Sequence, residues 1–296
     1  MSDSKSPKSA GTASPKSPAA ASSPGAAEPG NIAVPIEVDT ADAESTYASS
    51  APNDERQQEA EDLSHEMYKI VLDNKLTLAP VADNVQRVLD LGCGTGAWAI
   101  EFADEHPSAE VIGVDLSPIQ PPFVPPNCKF EVDDITKDFT HLKPGVWVEH
   151  GEYSSIARSE DGTIKPDAAL VQWVEVFKQV GAQTGKTFGI CETMPDVFRD
   201  AGYVNIRERR IKVPIGTWPK DPTLKSWGAW NRQFLLQGLE GFSIRGLTEL
   251  LGWGYEDAQL YIMNVRKELT DPKIHSYVEL AFMAAQKPLE DAEAET

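Results

Sequence analysis

Residues 88–96 read Val-Leu-Asp-Leu-Gly-Cys-Gly-Thr-Gly, an apolar run that leads into glycines on alternate positions. Val88, Leu89 and Leu91 are typical of a strand that is buried on both faces of a parallel sheet. The glycines permit a tight turn in which backbone can approach a ligand closely. A helix predicted over 97–106 would point its N-terminal amides at the same place, as nucleotide-binding α/β units do.

Two cofactors fit such a loop. Gly92, Gly94 and Ala97 also satisfy the dinucleotide fingerprint, in which Asp115 would be the acid that binds ribose. Asp90 distinguishes the two, because its carboxylate would repel a pyrophosphate but can hold a cationic amino-acid group, directly or through water. The sequence therefore favours S-adenosylmethionine over NAD, and a glycine-rich turn without a ligand is the remaining alternative.

Two further strands are predicted to end in acids. The run 110–116 ends in Asp115, whose carboxylate can accept both ribose hydroxyls, and the run 129–135 contains Asp134, which could take the adenine amino group. Together with Asp90, these acids would lie along one rim of a parallel sheet. A single acid at a strand end is usually a turn former, but three at this spacing indicate a ligand site.

These motifs resemble the class I S-adenosylmethionine-dependent methyltransferases, and specifically the fungal LaeA-like methyltransferases linked to secondary metabolism. The resemblance covers roughly residues 52–288. It rests on Pro-Asn-Asp-Glu at 52–55, Leu-Asp-Leu-Gly-Cys-Gly-Thr-Gly at 89–96, Trp-Ala-Ile at 98–100, Val-Ile-Gly-Val-Asp-Leu-Ser-Pro-Ile-Gln at 111–120, Val-Pro-Pro-Asn-Cys at 124–128 and Leu-Lys-Pro-Gly at 142–145.

The resemblance implies an α/β fold: a Rossmann-like, doubly wound, mostly parallel sheet with strand order 3-2-1-4-5-7-6 and a helical insert at 217–270 before the last strand, which pairs antiparallel. It implies no metal. The implied cofactor-binding residues are Asp90, Gly92, Cys93, Gly94, Gly96, Asp115, Leu116, Asp134 and Ile135.

The fourth strand of this order is missing from the sequence. Only ten residues, 136–145, connect the third predicted strand with the one at 146–151. They reach about 33 Å, whereas crossing to the vacant place beside the first strand needs about 22 Å. We therefore expect 146–151 to lie beside the first strand, with apolar surface exposed where covering helices are lost. A natural deletion and a gene-model error would give the same sequence.

The catalytic candidates are His150 and Glu152, which follow the Leu-Lys-Pro-Gly turn at the predicted carboxyl end of a strand. Methyl transfer depends mainly on alignment of the reactants, and a base helps when the acceptor is a hydroxyl or an ammonium group. A solvent-facing role for His150 is the alternative.

The insert at 217–270 is rich in aromatic residues, which would form either a substrate pocket or plain core. We expect its glycines at 238, 241, 246, 252 and 254 to mark turns between short helices. The aromatic residues are Trp218, Trp227, Trp230, Phe234, Phe242, Trp253 and Tyr255.

Composition bounds the location and partners. Residues 1–55 and the acidic segment 289–296 lack periodic apolar residues and are predicted to be disordered around a methyltransferase domain at 56–288. No apolar run approaches a membrane span or a signal peptide, and the three cysteines have no metal or disulfide spacing. We therefore expect free thiols and a cytoplasmic or nuclear protein. A net charge of −19 argues against direct nucleic-acid binding.

The sequence thus predicts a methyltransferase of fungal secondary metabolism that uses S-adenosylmethionine on a small molecule. A protein acceptor is the less favoured version of the same activity. The main alternative is a non-catalytic or weakly active LaeA-like regulator with a protein partner, and the other is an NAD-dependent oxidoreductase.

Overall fold

A computed structural model describes residues 55–135 and 142–289, and the predicted tails lie almost wholly outside these ranges. The elements in chain order are α1 (Glu55–Val71), β1 (Arg87–Leu91), α2 (Ala97–Glu105), β2 (Glu110–Asp115), β3 (Cys128–Val132), β4 (Trp147–Tyr153), α3 (Ala169–Thr184), α4 (Ile190–Asp200), β5 (Val204–Pro214), α5 (Pro222–Arg245), a π-helical segment (Gly246–Leu250), α6 (Tyr255–Thr270) and β6 (Tyr277–Gln286).

The strands form two sheets of three. β1, β2 and β3 pair in parallel in that order, and the second sheet has the order β4-β6-β5 with both pairs antiparallel. These are the first three and last three strands of the order 3-2-1-4-5-7-6. The α/β, Rossmann-like fold class is therefore confirmed, including the helical insert before an antiparallel last strand.

The expected place of the 146–151 strand is wrong. β4 pairs with β6 from Trp147 opposite Gln286 to Tyr153 opposite Leu280, and in the described part of the chain β1 pairs only with β2. The short link can span the distance, but parallel strands are stable when helices cover both sheet faces. Without the fourth strand and its helices, β4 keeps its antiparallel neighbour and β1 becomes an edge.

The edge position changes the environment of β1. The side chains of Leu89 and Leu91 are 42% and 46% exposed, so the expectation that both are buried was wrong. Val88 is half-buried and packs with the small core that Phe102 and Val111 form between α2 and the sheet. Exposed apolar surface of this kind is what the loss of covering helices predicts.

β6 is the best buried strand of the second sheet. Alternate residues face opposite sides of a strand, and Leu280 and Phe282 pack into the large core with the helices α3, α5 and α6. On the other side, Met283 and Ala285 pack against α4. The main core of the molecule therefore lies around the antiparallel sheet.

The insert begins with one long helix instead of several short ones. α5 is a 24-residue helix that continues through Gly238, and Asp221 caps its N-terminus by accepting a hydrogen bond from the Leu224 amide at 2.9 Å. Gly228 lies against Gly216, and a Cβ there would be 2.0 Å from the Gly216 carbonyl oxygen. Tertiary contact thus explains this glycine.

Helix α1 and the loop that follows it connect the two sheets. Lys69 of α1 pairs with Glu101 of α2 at 2.7 Å, and α1 also packs along α5. Glu149 of β4 accepts hydrogen bonds from Thr77 Oγ1 at 2.7 Å, from the Leu78 amide at 2.8 Å and from the Ala79 amide. The Glu149 carboxylate therefore holds the loop before β1 against the second sheet.

The cysteines and the helix lengths test two further expectations from the sequence. Cys93, Cys128 and Cys191 are all free, as the sequence predicts. Within 55–135 and 142–289, no helix combines the length and the apolarity that a bilayer span requires.

Candidate cofactor site and adjoining cavity

The glycine loop turns tightly over the end of β2. Gly92, Gly94 and Gly96 have φ values of 74°, 53° and 81°, in the left-handed region that favours glycine. The amides of Gly92 and Cys93 donate to the Val114 carbonyl at 2.8 and 3.1 Å, and α2 begins directly after Gly96. The predicted strand, loop and helix are therefore confirmed as a unit.

Gly96 also has a packing role that the ligand hypothesis did not include. A Cβ at Gly96 would lie 2.3 Å from the ring of Phe130, and one at Gly113 would lie 2.5 Å from the same ring. The aromatic ring of β3 thus fills space that the two glycines leave open. Phe130 supports the loop from below.

Asp115 holds the loop from the neighbouring strand. Its Oδ2 accepts the Gly94 amide at 2.9 Å, and its Oδ1 accepts the Ser117 amide at 2.9 Å. A carboxylate has about four lone-pair sites, so each oxygen keeps capacity for a further hydrogen bond. The arrangement can accept ribose hydroxyls while it fixes the loop.

Asp90 carries an unused acceptor. Its Oδ2 is buried and has no hydrogen-bond partner within the described ranges. Burial, and then the charge of Asp115, raise the pKa of Asp90 to about 6. An unpaired buried carboxylate is costly, and a cationic group from a ligand would satisfy it. Asp90 therefore fits the ammonium group of S-adenosylmethionine.

The other predicted residues lie around the same rim. Asp134 stands two residues beyond the end of β3 and is half-buried, and Leu116 directly follows β2. The Ile135 side chain comes within 3.7 Å of a Cβ placed on Gly92. Cys93 is half-buried, and burial raises the pKa of its thiol to about 12, so the thiol stays neutral. The structure brings all nine candidates to the carboxyl ends of β1, β2 and β3.

Three polar residues of this site were not predicted from the sequence. The Asp62 carboxylate accepts the Thr95 hydroxyl at 2.8 Å, and Gln120 donates to the Gly94 carbonyl at 2.6 Å. Glu61 reaches the loop itself, since its Oε2 lies 2.6 Å from a Cβ placed on Gly94. The acids belong to the polar side of α1, which an amphipathic pattern assigns to solvent.

A cavity of about 380 Å³ lies among β4, α3 and α5. Its size is within the range of small-molecule sites. Two of the seven aromatic residues of the insert line it, while others pack elsewhere, such as Trp218, which stacks on His275 with ring centroids 5.1 Å apart. The aromatic lining consists of Tyr153, Trp173, Phe177, Phe188, Phe234 and Phe242.

His150 and Glu152 lie together, but only one of them lines the cavity. His150 Nε2 is 3.2 Å from Glu152 Oε2, and the His150 side chain is 44% exposed. Glu152 lines the cavity, whereas His150 does not. Of the two catalytic candidates, Glu152 has the better access to a bound molecule.

One turn of α1 separates the cavity from the glycine loop. Gln57 lines the cavity and its side chain hydrogen-bonds to Glu61, which touches Gly94. Residues four apart on a helix are neighbours on one face. The loop and the cavity are therefore close enough for a cofactor on one to face a molecule in the other.

Comparison with known proteins identifies the family. Residues 63–162 match the sequence profile described as a methyltransferase domain. The chain is 34% identical over 267 residues to the methyltransferase pytC of Aspergillus terreus, covering 80% of this chain and 82% of that protein. It is 32% identical over 273 residues to the secondary metabolism regulator LAE1 of Cochliobolus heterostrophus, covering 80% and 89%.

Solved structures show weaker similarity. Phosphoethanolamine N-methyltransferase 2 of Haemonchus contortus, solved with S-adenosylhomocysteine, aligns with a TM-score of 0.37 at 18% identity over 77% of this chain and 53% of that one. The cyclopropane synthase MmaA2 of Mycobacterium tuberculosis aligns with a TM-score of 0.41 at 14% identity, covering 81% and 99%. The assignment rests on the sequence relatives, and by them the chain belongs to the LaeA-like class I methyltransferases, whose cofactor is S-adenosylmethionine.

Proposed function

We propose that the chain methylates an apolar, aromatic small molecule in fungal secondary metabolism and holds that molecule in the cavity beside α1. The observation that carries this proposal is the close placement of the glycine loop and the aromatic cavity, joined by the Gln57 and Glu61 side chains. Methyl transfer needs a donor and an acceptor in line and in contact. Two adjoining sites of this kind meet that need.

The cofactor would be held by groups with three different tasks. We assign its ammonium group to Asp90, because that carboxylate has a buried oxygen without a partner. We assign the ribose hydroxyls to Asp115 and the adenine amino group to Asp134. The backbone at Gly92 and Gly94 leaves room for close approach, and the sulfonium of the bound cofactor supplies the methyl group.

The cavity favours planar, apolar acceptors. Its walls are mostly aromatic and aliphatic, and Trp173 is fixed by a hydrogen bond from its Nε1 to Ser243 Oγ at 2.9 Å. Rigid aromatic side chains recognise rings by stacking and by edge-to-face contact. Glu152 lies in the wall and would take the proton of a hydroxyl or ammonium acceptor, with His150 positioning its carboxylate.

Calorimetric titration with S-adenosylmethionine and with NAD tests the cofactor site. We expect binding of the first and none of the second, and the reverse result would make the chain an oxidoreductase. Methyl transfer from labelled cofactor to a panel of planar phenols and amines tests the cavity. Glu152→Gln should lower kcat by about 100-fold for these acceptors, with cofactor affinity unchanged. Equal turnover of wild type and Glu152→Gln would remove Glu152 from the mechanism.

A regulator of secondary-metabolite gene expression is the second candidate. The similarity to LAE1 favours it, and so does the exposed edge of β1, which carries the cofactor loop. Such a regulator would act with a protein partner in the nucleus, whereas the enzyme would also act in the cytoplasm. Expression of the chain carrying Gly94→Val in a producing fungus separates the two. Metabolite levels that survive without cofactor binding would favour the regulator.

A further inference from the structure

Glu61 is a half-buried acid, with a buried Oε2, at the boundary between the glycine loop and the cavity. We propose that Glu61 makes the site prefer S-adenosylmethionine, which carries a sulfonium charge, over the neutral thioether S-adenosylhomocysteine, so that the product is released after transfer. This inference rests on the proposed function. It assigns the discrimination between substrate and product cofactor to one side chain of α1.

The position of Glu61 supports this role. Its Oε2 lies 2.6 Å from a Cβ placed on Gly94 of the loop. Its carboxylate is hydrogen-bonded to the Gln57 side chain, which lines the cavity. The methyl group must leave the cofactor in the direction of the acceptor. The sulfur that carries it must therefore face the side of the loop where Glu61 lies.

The charge around Glu61 is unbalanced. The Glu61 carboxylate accepts hydrogen bonds from the Gln57 side chain and the Thr95 backbone, but its Oε2 is buried without a partner in the described part of the chain. The charged groups that act on it are the carboxylates of Asp115 and Asp62. Burial and these charges raise the pKa of Glu61. A cation at this place would relieve the repulsion, and a neutral group would not.

Asp90 does not explain the same discrimination. It lies at the end of β1, and the ammonium group that we assign to it is present in both the methyl donor and its product. Removing the Asp90 charge should therefore weaken both ligands together. A carboxylate near the sulfur would distinguish a sulfonium from a thioether, because its charge attracts the cation and not the neutral group.

The experiment measures the affinities of both ligands by calorimetry for the wild-type chain and for Glu61→Gln. The substitution keeps the size of the side chain and removes its charge. We expect the ratio of S-adenosylmethionine to S-adenosylhomocysteine affinity to fall about ten-fold or more, which corresponds to about 1.4 kcal/mol. Circular dichroism checks that the variant is folded, and Glu61→Asp, which keeps the charge, should restore part of the ratio.

Asp62→Asn is the matched control, since it removes one negative charge from the next residue of the same helix. We expect it to change both affinities alike and to leave their ratio within two-fold. An unchanged ratio in Glu61→Gln would overturn the inference while cofactor binding itself stands. A parallel rise of both affinities in that variant would also overturn it, because Glu61 would then only obstruct the loop. Failure of both ligands to bind wild type would refute the proposed function and this inference with it.

Discussion

The two sheets of this molecule differ in how deeply their strands are buried. In the antiparallel sheet, the central strand β6 is covered on both faces, and Leu280 and Met283 are fully buried. In the parallel sheet, β1 is an edge strand whose Leu89 and Leu91 are almost half exposed. The cofactor loop follows β1, the less buried strand, whereas the cavity lies beside the well-packed antiparallel sheet.

The difference separates the place where the chain is stable from the place where it binds its cofactor. Binding loops are commonly drawn from the less stable parts of a fold. Here the loop is supported by hydrogen bonds to Val114 and Asp115 of β2 and by the Phe130 ring of β3, on one side of β1 only. Ligand binding should therefore respond to changes in the parallel sheet that leave the main core intact.

Gly94→Val should have the largest effect. Valine disfavours the φ of 53° at this position, and its Cβ would be 2.6 Å from Glu61 Oε2. We expect no measurable binding of S-adenosylmethionine by calorimetry. The circular dichroism spectrum should stay close to that of wild type, because the main core is unchanged. Gly185→Val is the control, because Gly185 has a φ of 69° but nothing within 4 Å of its Cβ position. Native affinity in Gly94→Val would refute the cofactor site.

The same side-chain truncation in each sheet tests the difference in packing directly. Leu280→Ala removes a side chain that is 0% exposed and should cost about 2–5 kcal/mol of unfolding free energy. Leu89→Ala, at 42% exposure, should cost less than about 1 kcal/mol. Urea denaturation of both variants measures the two losses. Similar values would mean that β1 is buried in solution, against the structure.

Asp115→Ala should weaken cofactor binding without affecting the antiparallel sheet. Charge-assisted hydrogen bonds contribute roughly 1.5–3 kcal/mol, so S-adenosylmethionine affinity should fall by about ten-fold or more. Part of the loss would come from the loop, since the Gly94 amide also loses its acceptor. A loss smaller than two-fold in calorimetry would show that Asp115 does not contact the ribose.

Asp90→Asn should change the free energy of unfolding by an amount that depends on pH. Burial, and then the charge of Asp115, raise the pKa of Asp90 to about 6, above the value of about 3.9 in an unfolded chain. Between these values the folded state binds more protons, so its stability falls as pH rises. In urea denaturation, the free energy of unfolding of the variant should equal that of wild type at pH 4 and exceed it by on the order of 2 kcal/mol at pH 7. A difference that is constant with pH would contradict this.

The parts of the fold that short sequence patterns determine were predictable. The order of β1, its glycine loop and α2, and the acids at three strand ends, follow from residues adjacent in the chain. The pairing of β4 with β6 follows from the strand order, but the separation of β4 from β1 was not predictable, because it depends on which helices remain to cover β1. The continuity of α5 through Gly238 was also missed, since propensity alone favours a break and tertiary packing overrides it.

The candidate site shows the same division. Asp90 and Asp115 are recognised by their spacing from the glycines. Glu61 was not recognised, because it comes from a helix distant in sequence, and only the packing of α1 over the loop brings its carboxylate there. The cavity likewise combines residues of several elements, so aromatic content in the insert alone identified Phe234 and Phe242 among many residues that pack elsewhere.

The contact between Gly228 and Gly216 has a consequence for how substrate range can evolve. No side chain fits between these backbones, and the Gly216 amide donates to the Gly228 carbonyl at 2.8 Å, so α5 is held at this point against the residues that follow β5. Phe234 and Phe242 lie beyond that anchor and line the cavity. A directed-evolution library that fixes the two glycines and diversifies the two phenylalanines would explore new acceptors with the scaffold preserved.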